Sequence, residues 1–206
     1  MDLTDALEFS LYARRLRAAQ PELFADITAS LASPFILGED DAAALRQAAD
    51  PHALEALSRT LRQKVFLGSM LRDLTGHADL LEVCAATTGL AEVVIAAAVD
   101  AHHQWLAEAH GDPIGSDSGA TQNLIVVGMG KLGGGELNVS SDVDLVFVYP
   151  EAGVTDGKKS ITNQEFFERL GRRVIATLDE ATADGWVFRV DMRLRPYGGS
   201  GPLCSS

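Results

Sequence analysis

Two aspartates, Asp142 and Asp144, lie two residues apart and follow a glycine-rich stretch, residues 128–135. Residues 142–149 (DVDLVFVY) are rich in β-branched residues and predict a strand, along which alternate side chains point to the same face. The two Cα atoms would then lie roughly 6.6 Å apart, from about 3.3 Å rise per residue. Carboxylates this close repel unless a cation lies between them, and hard oxygen ligands favour Mg²⁺ or Mn²⁺. The alternative is a pair of exposed acids at the start of a strand, without function.

A third aspartate, Asp191, lies in a segment where apolar and charged residues alternate strictly, residues 188–195. This period of two predicts a half-buried strand. Its polar face carries Asp191 with Arg189, Arg193 and Arg195, a local excess of positive charge in a chain of formal net charge −12. Arginine side chains can bind phosphate oxygens bidentately, although charge alternation is also common on exposed edge strands. Carboxylates that hold a divalent ion against a phosphate chain provide what attack at phosphorus requires.

The glycine-rich loop follows a short apolar run, residues 123–127, that predicts another strand. Its Gly-x-Gly-x-x-Gly spacing fits the dinucleotide fingerprint, but that motif needs a following helix and an acidic residue about 20 positions later. A Walker A loop needs Ser or Thr where Leu132 lies. We therefore expect the loop's backbone N–H groups to bind phosphate, while glycines that serve only a tight turn remain the alternative. The candidate nucleotide- or phosphate-binding residues are Gly133, Gly134, Lys131, Ser141, Arg193 and Arg195.

The composition of the chain limits the function classes. With 206 residues and 47% hydrophobic content it can bury a real core. A sequence pI of about 4.7 argues against nucleic-acid binding, which depends on basic residues that neutralise phosphates. Two cysteines far apart suggest no disulfide framework and a reducing, cytoplasmic location. Because the N-terminus is acidic, we expect no signal peptide. The sequence contains no run of about 18 apolar residues, so we expect no membrane span.

Two regions with different patterns follow each other along the chain, and together they predict an α+β fold. Residues 1–118 are predicted to form a helical N-terminal region, and residues 119–206 a core with a small mixed or antiparallel sheet. A polar segment across this boundary, residues 111–122, is predicted to be a linker. In the core, residues 163–179 have the spacing of an amphipathic helix with Thr162 as its N-cap. The predicted helices of the first region are residues 5–19, 40–49, 51–74 (in two pieces), 77–88 and 91–110.

The glycine loop, the Asp-x-Asp strand and the later aspartate together resemble the polymerase-beta-like nucleotidyltransferases. Within that superfamily the chain is more similar to the glutamine synthetase adenylyltransferases, and the similarity lies in residues 130–147, 188–196 and 199–203. In addition, residues 14–24 resemble that family's N-terminus. The resemblance implies a nucleotidyltransferase core after the helical region, incomplete at its C-terminal end. It also implies that Mg²⁺ or Mn²⁺ is bound by three residues that are catalytic as well, Asp142, Asp144 and Asp191.

Members of this family carry two related nucleotidyltransferase domains. The Glu-Leu-Asn-x-Ser-Ser-Asp sequence at residues 136–142 resembles the first, which removes AMP from glutamine synthetase by phosphorolysis, with phosphate consumed and ADP released. The implied partners are glutamine synthetase, nucleotide, inorganic phosphate and a nitrogen-signalling regulatory protein, without nucleic acid or membrane. Two alternatives stay open: AMP transfer from ATP in the forward direction, which uses the same residues, and a docking fragment without catalysis.

Overall fold

The computed structural model describes residues 3–35, 37–182 and 185–206 of the chain. Helices fill the first part of the described chain and strands occur only after it, which confirms the α+β class. The helices before the first strand are α1 (Leu3–Phe9), α2 (Leu11–Ala19), α3 (Pro21–Ala29), α4 (Glu39–Arg46), α5 (Pro51–Leu74) and α6 (Leu80–His110). The elements that follow are β1 (Pro113–Gly115), β2 (Ile125–Met129), α7 (Gly130–Gly133), β3 (Val143–Val148), β4 (Gly153–Thr155), α8 (Asn163–Asp179), β5 (Val190–Asp191), a 3₁₀ turn (Gly198–Ser200) and β6 (Cys204–Ser205).

The two longest helices are uninterrupted where the sequence analysis predicted breaks. α5 is one helix rather than two pieces, and α6 runs through Gly89, where two helices were expected. Glycine inside a helix costs about 1 kcal/mol relative to alanine, a cost that packing of a long apolar face outweighs. In contrast, the helix predicted for residues 5–19 is divided at Ser10, whose hydroxyl accepts the N–H of Ala13 at 3.1 Å and caps α2. Helix α3 was not predicted.

The main sheet has the strand order β2–β3–β5, with β6 also paired to β3. β2 is antiparallel to β3, whereas β5 and β6 are parallel to it, so the sheet is mixed as expected. β1 and β4 form a separate two-stranded sheet. β1 lies inside the segment predicted as a linker, residues 111–122, which therefore contains ordered pairing with a strand of the core.

One hydrophobic cluster joins the helices to the main sheet. It includes Leu61 and Val94 from the helices as well as Leu145 and Phe167 from the second half of the chain. α8 begins and ends where the sequence predicts, and Thr162 Oγ1 accepts the N–H of Glu165 at 3.2 Å, as expected for its N-cap. The sheet is thus fixed on one face by α6 and α8, and its other face remains available for chemistry.

By length and composition α6 could cross a membrane, although the sequence contains no continuous run of about 18 apolar residues. Half of its most apolar window is buried inside the protein. Because the core helix of a soluble protein meets the same criterion, this is weak evidence for a membrane span.

Candidate active site

The parallel pairing of β3 with β5 brings together two of the three predicted catalytic aspartates. Asp144 on β3 is the register partner of Asp191 on β5. Register partners on adjacent strands lie about 4.8 Å apart and point to the same face. β3 buries Val143, Leu145 and Phe147 in the core, so Asp144 lies on the opposite face. The open face of the sheet therefore carries Asp144 and Asp191 side by side.

Asp142 lies one residue before β3 instead of within the predicted strand. Its Oδ1 atom is 2.6 Å from Arg189 Nη2, and the same nitrogen donates to the carbonyl oxygen of Ser140 at 3.3 Å. Arg189 belongs to the alternating segment but is not among the predicted site residues. Its contact with Asp142 could be recognised only once β3 and β5 were known to pair.

β5 is much shorter than the strand predicted for residues 188–195. Asp191 Oδ1 accepts the backbone N–H of Arg193 at 2.8 Å, and an aspartate that binds the backbone two residues ahead forms a turn. The chain turns away after Asp191, and Leu194, which the alternation assigned to the core, is 55% exposed. The prediction of a continuous strand was wrong, because the Asp191 side chain takes the N–H that a longer ladder would use.

Arg193 and Arg195, both predicted to bind phosphate, have different surroundings. Arg193 Nε donates to Asp191 Oδ2 at 2.8 Å, so this guanidinium lies with the aspartates. Arg195 Nη1 instead donates to the carbonyl oxygen of Met192 at 2.8 Å, and its Nε is buried without a hydrogen-bond partner in the described residues. The turn after Asp191 therefore separates two arginines that the alternation placed on one face.

The charges of all three aspartates act on Arg193. Its hydrogen bond holds the pKa of Asp191 below the usual value for a carboxyl group. The pKa of Arg193 is raised, first by the hydrogen bond with Asp191 and then by the charges of Asp191, Asp144 and Asp142. One guanidinium within electrostatic reach of three carboxylates marks a position where a cation is favoured.

The glycine-rich loop packs directly against Asp144. Gly130 has φ +53°, and a Cβ at this position would lie 2.8 Å from Asp144 Oδ2. A Cβ at Gly133 would lie 2.5 Å from the carbonyl oxygen of Gly128, whereas at Gly134 no atom would be nearer than 3.6 Å. The two predicted phosphate contacts therefore differ: Gly133 is required by packing within the loop, whereas a Cβ at Gly134 would make only ordinary contacts.

Lys131 and Ser141, the other predicted phosphate contacts, lie together. Lys131 Nζ donates to Ser141 Oγ at 3.3 Å, and Ser141 Oγ donates to Asn138 Oδ1 at 2.9 Å. Asn138 also accepts the backbone N–H of Ser140 at 3.1 Å and its hydroxyl at 3.0 Å. Asn138 thus organises the turn that leads to Asp142, a role that its spacing in the sequence did not reveal.

The donor chemistry at this edge of the sheet suits a hard divalent cation, because its three aspartates offer only oxygen ligands. Within residues 3–35, 37–182 and 185–206, no group of three or more His, Cys, Asp and Glu side chains is arranged to hold a metal ion. Asp142 and Asp191 are bonded to arginines. A metal ion would have to replace these arginine contacts, and the metal site stays a prediction.

The chain is similar to proteins of one family. Residues 2–206 match the family model described as glutamate-ammonia ligase adenylyltransferase. A bifunctional glutamine synthetase adenylyltransferase/adenylyl-removing enzyme from Chromobacterium violaceum is 52% identical over 97% of this chain and 22% of its own length. Relatives with the same name from Nitrosomonas eutropha and Pseudomonas aeruginosa are 50% and 51% identical, over 99% and 80% of this chain and 22% and 17% of their own length. The chain thus spans about a fifth of the length of these relatives, and it belongs to the glutamate-ammonia ligase adenylyltransferase family.

Proposed function

We propose that this chain carries a metal-dependent nucleotidyl-transfer site that removes AMP from a tyrosine of adenylylated glutamine synthetase by phosphorolysis. The observation that carries the proposal is the pairing of Asp144 with Asp191 on the open face, with Asp142 and the glycine loop beside them. The relatives are named for both adenylyl transfer and adenylyl removal. The similarity of residues 136–142 to the family's first nucleotidyltransferase domain favours removal.

In this proposal Asp142, Asp144 and Asp191 hold one or two divalent ions, Mg²⁺ or Mn²⁺. Such ions would neutralise charge on the phosphate groups that must meet. The two anions repel each other, so cationic groups at the site supply the largest favourable contribution. Arg189 and Arg193 are now bonded to Asp142 and Asp191, and metal binding to these carboxylates would free both guanidinium groups to bind phosphate oxygens.

The proposed reaction conserves atoms and charge without a further reactant. An oxygen of inorganic phosphate attacks the phosphorus of the adenylyl group in line with the bond to tyrosine. The P–O bond to tyrosine breaks, a new P–O–P bond forms, and ADP leaves while the phenolate takes up the proton that the hydrogen phosphate gives up. A phenolate is a tolerable leaving group, so the site does not require a dedicated acid.

Incubation with adenylylated glutamine synthetase, Mg²⁺ and labelled phosphate tests the proposal by release of labelled ADP. Asp144→Asn and Asp191→Asn should lower the rate by at least about a hundredfold, because each variant removes a charge that stabilises the transition state. Asp26→Asn, an exposed carboxylate on α3, is the control and should react like the parent chain. Equal ADP release from all three variants would contradict the proposal.

The forward reaction, AMP transfer from ATP to unmodified synthetase, is a second candidate because the relatives' shared name includes it. It uses the same aspartates, so only the assay separates the two directions. Incorporation of labelled AMP without ADP release would assign the forward direction. Absence of both reactions would favour a docking role for this part of the protein.

A further inference from the structure

A cleft with a volume of about 300 Å³ opens beside Asp142, between α5, the turn before β3 and the segment before β5. Neither the glycine loop nor the aspartates line this Trp186 cleft, which shares Ser141 and Arg189 with the site described above. It is formed chiefly by Arg62, Phe66, Ser141, Trp186, Phe188 and Arg189.

Aromatic rings form much of the cleft. Phe66 and Phe188 are buried and contact each other edge to face, with ring centroids 6.0 Å apart, so they make a rigid floor. Trp186 is 41% exposed and stands at the rim. An exposed indole above an apolar floor provides a flat surface on which a planar ring can stack.

Arg62 is a cation of this cleft that forms no ion pair with any other described residue. Its guanidinium carbon lies 4.2 Å from the ring centre of Phe66 and 5.9 Å from that of Trp186. Its Nε is buried with no hydrogen-bond partner in the described part of the chain, and burial lowers the pKa of Arg62. A half-buried guanidinium with an unused donor is costly unless a ligand supplies an acceptor.

The other polar groups of the cleft are already engaged. Ser140 and Ser141 both donate their hydroxyls to Asn138, and Arg189 binds Asp142. Inorganic phosphate would find few free donors here, whereas a purine offers both a flat ring for Trp186 and a ring nitrogen that accepts from Arg62. The free groups therefore fit a nucleobase better than an anion.

The position of the cleft fits a nucleotide that reacts at the aspartates. Ser141 immediately precedes Asp142 in the chain, and Arg189 lines the cleft while it contacts the carboxylate of Asp142. A base in the cleft would thus have its phosphate close to Asp142. We propose that the Trp186 cleft binds the adenine ring of the adenylyl group, stacked on Trp186 and hydrogen-bonded by Arg62; the choice of adenine rests on the proposed function.

Adenosine binding to the chain, measured by titration calorimetry without metal, phosphate or synthetase, tests this site. We expect Trp186→Leu to weaken binding by about tenfold or more, because base–aromatic stacking is lost. Arg62→Gln should weaken it several-fold, since the charged donor is removed. Trp105→Phe is the matched control, because Trp105 packs against His102 away from the cleft, and it should bind like the parent chain. Circular dichroism establishes that each variant is folded.

Absence of adenosine binding to the parent chain would overturn the proposal, as would unchanged affinity in both cleft variants. Binding of N-acetyltyrosinamide or inorganic phosphate that depends on Trp186, without adenosine binding, would also overturn it. The titration requires no turnover, so it is independent of the ADP-release assay. If ADP is released but the affinity for adenosine does not change in Trp186→Leu, only the cleft assignment fails. If ADP is not released but adenosine binding depends on Trp186, only the proposed reaction fails.

Discussion

Gly130 combines a left-handed backbone conformation with close contact to the candidate site residue Asp144. Its positive φ belongs to the left-handed region, and its missing Cβ leaves room for the Asp144 carboxylate. Gly135 also has a positive φ, +71°, but no atom would lie within 4 Å of a Cβ there. Substitution of Gly130 and of Gly135 by alanine therefore distinguishes two effects: both variants strain the backbone, but only the one at Gly130 displaces Asp144.

Gly130→Ala and Gly135→Ala should each destabilise the chain by about 1 kcal/mol, because alanine is strained in the left-handed region. Only Gly130→Ala should also abolish ADP release, since its methyl group pushes Asp144 away from Asp191. Urea unfolding measures the first effect and the phosphorolysis assay the second. Equal activity in the two variants would mean that the contact between the loop and Asp144 does not matter for function.

At the scale of secondary-structure elements, close packing of α8 fixes the sheet. A Cβ at Gly171 in α8 would lie 2.9 Å from the ring of Phe147 and 3.3 Å from Cys204 Sγ. At Gly89 in α6 the nearest atom, Leu37 Cδ1, would be 3.6 Å away, an ordinary contact. Both glycines lie inside helices, so alanine gains helix propensity at either position.

Gly89→Ala should stabilise the chain by about 0.5–1 kcal/mol, and Gly171→Ala should destabilise it by about 1–2 kcal/mol because overpacking outweighs propensity. Chemical denaturation of the two variants measures both changes. Stabilisation by Gly171→Ala would show that α8 can shift from β3 without cost, contrary to the packing described above.

The contact between α6 and α8 should also make stability depend on pH. His102 is buried, shares a 2.8 Å hydrogen bond with Thr177, and has a pKa lowered to about 4 by burial and then by the charge of Arg173. The unfolded chain binds the proton near pH 6.5, so the stability is complete above that pH and falls as pH decreases towards 4. Between pH 7.5 and 5 the loss from this residue is about 2 kcal/mol.

His102→Gln should reduce this difference in unfolding free energy between pH 7.5 and 5. Thr177→Val is the matched control: it removes the hydrogen bond and lowers stability at both pH values, but it keeps the pH dependence because His102 remains buried. If His102→Gln has the same pH dependence as the parent chain, the His102 side chain is not the cause.

For the whole molecule, local pattern predicted the secondary elements better than their continuity. Residues 163–179 carry both a cap and an apolar stripe, so α8 was predicted correctly. The strand predicted at residues 188–195 failed because a single side-chain hydrogen bond of Asp191 turned the chain, a choice that alternation does not encode. The break predicted in α6 failed because tertiary packing outweighs the weak helix propensity of Gly89.

The candidate site was predictable in its residue types but not in its pairing. The spacing of Asp142 and Asp144 and the family resemblance selected the aspartates, and β3–β5 pairing brings Asp144 next to Asp191. The partners of these aspartates, Arg189 for Asp142 and Arg193 for Asp191, depend on strand register and turn geometry. A chain of net charge −12 keeps two of its 17 basic residues beside these acids, which argues that the cluster has a specific role.

The proposed function requires that Asp142, Asp144 and Asp191 together bind a divalent cation. Electron paramagnetic resonance of Mn²⁺ titrated into the chain, with AMP and phosphate present, measures this binding directly. We expect a Mn²⁺ site that is lost or weakened at least tenfold in both Asp144→Asn and Asp191→Asn and is unchanged in Asp26→Asn. Mn²⁺ affinity that is the same in all three variants would contradict it.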